Sequence, residues 1–159
     1  MRAIVWINED TWEACVDHAR ALLPDGAEIT LLHVASSGVE QLAGAGAGRL
    51  LGRRPPPVPG PPLRQIAAQE AQALLQSARA RLGRPAGVSS LRGHVEREVV
   101  AACAGADVLV AARDGELRVG PKSLGPHTRF VVDHAPCQVL LVWAGEPFTP
   151  ERGVLPKGP

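Results

Sequence analysis

Ala3-Ile4-Val5-Trp6-Ile7, then Asn8-Glu9-Asp10-Thr11, then Trp12 to Leu23 give an apolar run, a polar turn and an amphipathic stretch of helix length, in that order. The first run is short and rich in β-branched residues, as a strand covered on both faces requires. The polar cluster after it is able to turn the chain and open a helix. Trp12, Cys15, Val16, Ala19, Leu22 and Leu23 recur at i, i+3, i+4, i+7, i+10 and i+11, one stripe, until Pro24-Asp25-Gly26 ends the helix. Ile29 to Val34 is a second apolar strand. Strand, helix and strand in immediate succession form a βαβ unit, with parallel strands and a right-handed crossover.

The alternation resumes after an interruption. Residues 35–62 have no periodicity and contain Ala43-Gly44-Ala45-Gly46-Ala47-Gly48 and Pro55-Pro56-Pro57-Val58-Pro59-Gly60-Pro61-Pro62, the composition of a loop insertion or spacer; an extended polyproline ligand is the other reading. Leu63 to Leu82 then reads as a helix with a stripe of Leu63, Ile66, Ala67, Glu70, Leu74, Ala78 and Arg81. Val88 to Arg92 is a weak strand, His94 to Ala104 a helix turning Val95, Val99 and Cys103 inward, and Asp107 to Ala112 a strongly apolar strand. After a loop over Arg113 to Leu124, Gly125-Pro126 opens a last helix through Ala135, with proline where its missing N–H does least harm. Pro136 stops it, and Gln138 to Trp143 is a continuous apolar strand.

The expected architecture is α/β: one domain over residues 1–144 with a doubly wound five-stranded parallel sheet, order 3-2-1-4-5, helices on both faces, and an irregular tail over 145–159. In such a sheet ligands gather outside the carboxyl ends of the strands where the order reverses. That places the candidate site at Asn8 to Thr11 and Ala112 to Thr128.

Composition excludes several classes of partner. The 159 residues carry 17 Lys+Arg against 16 Asp+Glu, a formal charge of +1, so no global field recruits nucleic acid or anionic lipid. Aromatic residues make up 3%, with no tyrosine, too few for base-stacking platforms. No apolar run approaches the length of a membrane span and no cleavage-type sequence follows the amino terminus, so a cytoplasmic protein is expected. Cys15, Cys103 and Cys137 lie far apart without a CxxC partner and read as buried, reduced thiols.

Familiar sites can be tested one by one. Asn8-Glu9-Asp10-Thr11 contains no glycine, against a dinucleotide fold. Gly115 and Gly120 have P-loop spacing, but Pro121 precedes Lys122-Ser123 and removes an amide from the phosphate cradle. The third strand ends Leu91-Arg92-Gly93-His94 without the aspartate of a phosphoacceptor, which leaves Glu9-Asp10 as a solvated helix start. No G-x-S-x-G elbow occurs, and the five histidines have no metal-site spacing. His134 and Cys137 read as a helix-end histidine and a core cysteine, and His33 as a satisfied interior or rim residue. Neither a catalytic residue nor a metal ligand is assigned.

What remains is Ala112-Arg113-Asp114-Gly115, nine residues, then Gly125-Pro126-His127-Thr128. The segment resembles the universal stress protein family, whose nucleotide-binding members carry G-x-x-G, nine residues, then G followed by Ser or Thr. Val131-Val132-Asp133-His134-Ala135-Pro136-Cys137-Gln138-Val139-Leu140-Leu141-Val142 is similar to that family's closing helix and strand, and the element order agrees over most of residues 2–143. The resemblance implies binding of ATP or a related adenylate in a stress response, at Asn8, Val34, Ala112, Arg113, Gly115, Gly125, Pro126, His127 and Thr128. Three of these depart from the motif: Ala112 replaces its first glycine, Pro126 its Ser or Thr, and Asn8 the aspartate on the adenosine side.

Physical chemistry leaves two readings of that loop open. The amides of His127 and Thr128 begin a helix, and Arg113, Arg118, Lys122 and Arg129 outnumber Asp114 and Glu116, which would hold an anion weakly. The same basic residues would equally make a solvated loop. Accordingly the expected function is a weak adenylate-binding module with at most slow hydrolysis, and the alternative is a nucleotide-free homodimeric interaction protein; an enzyme using Cys137 or His127 is a more distant third. Gln138 to Trp143 lacks the charges, prolines or bulges that protect a sheet edge, so a homodimer through that strand is expected under either of the first two.

Overall fold

The structure, a computed structural model, describes residues 1–36 and 61–146, with 61–64 as backbone only. The glycine tract, the proline tract through Gly60 and all of the tail beyond residue 146 lie outside the described residues, while Pro61 and Pro62, expected in the loop, open a helix. Five strands, β1 (Arg2–Trp6), β2 (Glu28–Ser36), β3 (Gly87–Gly93), β4 (Val108–Arg113) and β5 (Gln138–Trp143), form one parallel sheet of order β3-β2-β1-β4-β5. Helices α1 (Trp12–Leu22), α2 (Pro61–Leu82), α3 (Val95–Ala102) and α4 (Pro126–His134) connect them, and a 3-10 turn at Pro121–Ser123 precedes α4. This is the doubly wound sheet that the alternation of apolar runs and stripes requires.

Side chains alternate between two cores, as the two-residue repeat of a strand demands. Ala3, Val5, Ile7, Ile29, Leu31, Val110 and Ala112 pack under α1 and α2 with Cys15, Val16, Ala19, Leu75, Ala78 and Leu82. Trp6, Leu32, Val34, Leu109 and Ala111 pack on the other face with Val99, Cys103 and Val131 of the α3 and α4 segments. Helices therefore cover both faces.

Several boundaries and faces differ from the sequence reading, each for a local reason. β2 runs two residues beyond Val34, because Ala35 and Ser36 pair with Arg92 and Gly93 of β3. The inward face of α2 is Ala71, Leu75, Ala78 and Leu82, while Ile66 and Glu70 are exposed: the first turns of the helix extend past the end of the sheet, where no strand lies beneath them. Leu22 is exposed for a similar reason, since α1 ends there and Leu23, held by its amide to Ala19 O at 3.1 Å, turns inward instead. β3 is an edge strand with no residue fully buried, which explains its weak apolar signal.

Two of the three thiols are not isolated. Cys137 packs against the cluster that holds Cys103, where the end of α3 meets the start of β5, and burial pushes the Cys103 thiol up to about 12. Cys15 is fully buried under the sheet and is likewise pushed up to about 12 by desolvation.

Candidate functional site

The order in which strands are added reverses between β1 and β4, and the carboxyl ends of these parallel strands open toward one side of the sheet. A cavity of about 850 Å³ lies there. The turn after β1 supplies Asn8, Glu9, Asp10 and Thr11, the end of β2 supplies His33 to Ser36, the first half of α2 supplies Ala67, Glu70, Ala71 and Leu74, and Asp114 closes it from the end of β4. The turn is held by its own backbone: the amides of Thr11 and Trp12 both donate to Asn8 O, at 3.1 and 3.0 Å, so α1 begins without a side-chain cap.

His33 is the buried polar group of this wall. It lies on the same face of β2 as Ile29 and Leu31 and is 8% exposed, yet its Nδ1 has no hydrogen-bond partner. The sequence reading of a satisfied histidine is therefore corrected. Desolvation lowers its pKa and keeps the ring neutral, with the carboxylate of Glu9 opposing the shift. Thr11 Oγ1 is also buried and unpartnered. An unsatisfied buried polar atom costs on the order of 1–3 kcal/mol, and both of these lie beneath the cavity surface, out of reach of solvent.

The nine residues named from the sequence divide. Asn8 and Val34 line the cavity. Ala112 is buried within β4 beside Val142, facing the α1 core. Arg113 ends the strand, lies over the Trp143 ring at 4.9 Å and donates to Ser123 Oγ at 2.6 Å. Gly115 sits against the returning loop: its amide donates to Ser123 O at 3.1 Å, and a Cβ there would stand 2.7 Å from the Ser123 carbonyl carbon and closer still to Lys122 O. Gly125 is the N-cap of α4 and Pro126 its first residue. His127 donates from Nδ1 to Glu96 Oε2 at 2.7 Å, tying α4 to α3, and Thr128 is fully buried with its Oγ1 unpartnered. None of these seven lines the cavity.

At the mouth of α4 the positive end of the helix already faces a carboxylate. The Gly125 amide donates to Asp114 Oδ1 at 2.7 Å. A hydrogen bond with a charged partner contributes about 1.5–3 kcal/mol, which an incoming anion would have to offset. Two further basic residues named from the sequence are similarly engaged: Lys122 is 3.7 Å from Glu116, and Arg129 donates to the Pro121 and Leu124 carbonyls. Sequence reasoning passed over Asp114 as a site residue, although Gly125-Pro126 offers no capping side chain and a helix so begun needs an acceptor from elsewhere.

No protein-family model and no curated protein matches the chain. Solved structures do. A universal stress protein in complex with cAMP agrees with a TM-score of 0.61 over 91% of this chain and 98% of its own, at 14% identity. The universal stress protein UspA from Lactobacillus plantarum agrees at 0.57 over 89% and 97%, with 18% identity. An Arabidopsis thaliana universal stress protein family protein with AMP bound agrees at 0.56 over 96% and 97%, also with 18% identity. The likeness is one of fold: the chain has the fold of universal stress proteins.

Proposed function

We propose that the chain is a ligand-responsive module that binds an adenylate weakly in the cavity at the ends of β1 and β2 and acts in a stress response. The observation that carries this reading is the cavity itself, about 850 Å³ at the reversal of strand order, with Asn8 and Val34 on its wall. The proteins of this fold that hold cAMP or AMP supply the ligand class. Binding is weak because the amide of Gly125, the N-cap of α4, is taken by Asp114. Equilibrium dialysis of the full chain against millimolar adenosine, AMP and ATP tests the reading: retention of at least one is expected, and retention of none overturns it.

A second reading, a nucleotide-free homodimeric interaction protein, draws on the same Asp114 contact and on β5. That strand is at the sheet edge, and Val139, Leu140, Leu141 and Trp143 are only half-buried in the single chain. Pairing of two copies along it would cover a row of apolar side chains together with the unpaired backbone. Either reading expects a dimer in light scattering at micromolar concentration, and a monomer there removes the pairing from both.

A further inference from the structure

We propose that Asp114 makes this cavity select against phosphate, so that it takes an uncharged nucleoside in preference to the corresponding mono- or triphosphate. The inference rests on the adenylate reading and refines it. In a doubly wound sheet the crevice beyond the strand ends receives the body of an anionic ligand, and the N-terminus of a neighbouring helix receives its charge. Here one residue stands between the two. Asp114 lines the cavity while its Oδ1 accepts the Gly125 amide at 2.7 Å. A Cβ built on Gly125 would lie 2.9 Å from Asp114 Oδ2, so the carboxylate fills the space in front of that backbone, the place a phosphate oxygen needs.

Among the described residues the remaining charges on the wall have the same sign: Glu9 and Asp10 from the first turn and Glu70 from α2 join Asp114, with neither lysine nor arginine in the lining. Burial keeps His33 neutral, so the imidazole does not compensate them. A dianionic ligand meets these carboxylates with repulsion, while an uncharged one meets none. What the wall does offer an uncharged ligand is the Asn8 side chain beside the apolar Val34, Ala71 and Leu74.

Isothermal titration calorimetry of the full chain with adenosine, AMP and ATP, each at low and high salt, tests the selection. Adenosine is expected to bind at least about tenfold tighter than AMP, with ATP weakest. Salt should raise AMP affinity by screening the carboxylates and leave adenosine unchanged. Asp114→Asn keeps an acceptor oxygen for the Gly125 amide but removes the charge, and should bring AMP to within about threefold of adenosine. AMP or ATP binding wild-type protein as tightly as adenosine overturns the selection and leaves the adenylate reading standing, whereas no binding of all three overturns both. An adenosine preference that survives Asp114→Asn undiminished removes Asp114 from the explanation. If that variant does not fold, the salt series on wild-type protein decides alone, since an AMP affinity that falls with salt means cations hold the phosphate.

Discussion

Along the crevice at the strand ends, the β1–β2 side holds a cavity, while the β4–α4 side is filled by its own side chains. On the filled side Asp114 takes the Gly125 amide, Arg113 takes Ser123 Oγ and stacks on Trp143, and the loop folds back until the Gly115 amide reaches Ser123 O. The same topology creates both halves, so topology alone does not decide where a ligand goes. The difference lies in how closely the loop after β4 packs back on itself, since buried polar atoms lack partners on both sides, Thr128 Oγ1 on the filled one and His33 Nδ1 and Thr11 Oγ1 on the open one.

The largest effect expected from disturbing this contrast is on the filled side. Gly115→Ala places a methyl group against the Lys122 and Ser123 backbone, which is tied down at both ends of the turn and has no flexible side chain to yield. Overpacking of this kind costs about 3 kcal/mol. Urea denaturation of wild-type and variant measures it, and a loss below about 0.5 kcal/mol, the range of neutral surface changes, would mean that the loop is loose and the filled side is not a packed unit.

A smaller effect belongs to the open side and depends on pH. Burial depresses the folded-state pKa of His33 below its ordinary 6.5, so in acid the unfolded chain binds a proton that the folded chain refuses. The contribution is therefore fully present above pH 6.5 and is lost as the pH falls from 6.5 toward the depressed value, with a slope of at most about 1.4 kcal/mol per pH unit. His33→Gln should remove that slope. If thermal melts between pH 5 and 7.5 show equal pH dependence for the two proteins, His33 is not desolvated and the cavity wall is wetter than its burial indicates. Asp17, whose pKa Arg81 lowers chiefly through a side-chain hydrogen bond, acts in a separate window: its contribution is present above 3.8 and lost in stronger acid.

The contrast also marks what the amino-acid sequence discloses. The apolar runs Ala3 to Ile7 and Gln138 to Trp143 announce their strands because partners on both faces, or at an exposed edge, require side chains of one kind along the run. The strand order, and with it the site at the strand reversal, is what the resemblance implies, while helices on both faces follow from that alternation. The faces of α2 do not, because its stripe continues past the sheet, and only the strand beneath decides which turns are covered. Asn8 and Val34, named from the resemblance, line the cavity, and His33, two residues beyond Leu31, shares the face of Ile29 and Leu31. Whether an inward histidine finds a partner depends on contacts across the fold. Asp114 is the clearest case: its carboxylate meets Gly125 through a loop eleven positions long, and no periodicity records such a meeting.

The smallest expected effect separates the two sources of the His33 shift. Glu9 stands in the turn after β1, exposed to solvent, and its charge is the one influence that raises the His33 pKa against desolvation. Glu9→Gln removes that charge with little change of shape, so the imidazole should become harder still to protonate in the folded chain. Because the charge acts through solvent, the change in stability at neutral pH should stay within about 0.5 kcal/mol and shrink with added salt. Nuclear magnetic resonance titration of the His33 ring reads the shift directly: a downward move in Glu9→Gln is expected, while an upward move would mean that the carboxylate holds the neutral ring by a hydrogen bond, and that the open side is more nearly satisfied than its unpartnered nitrogen implies.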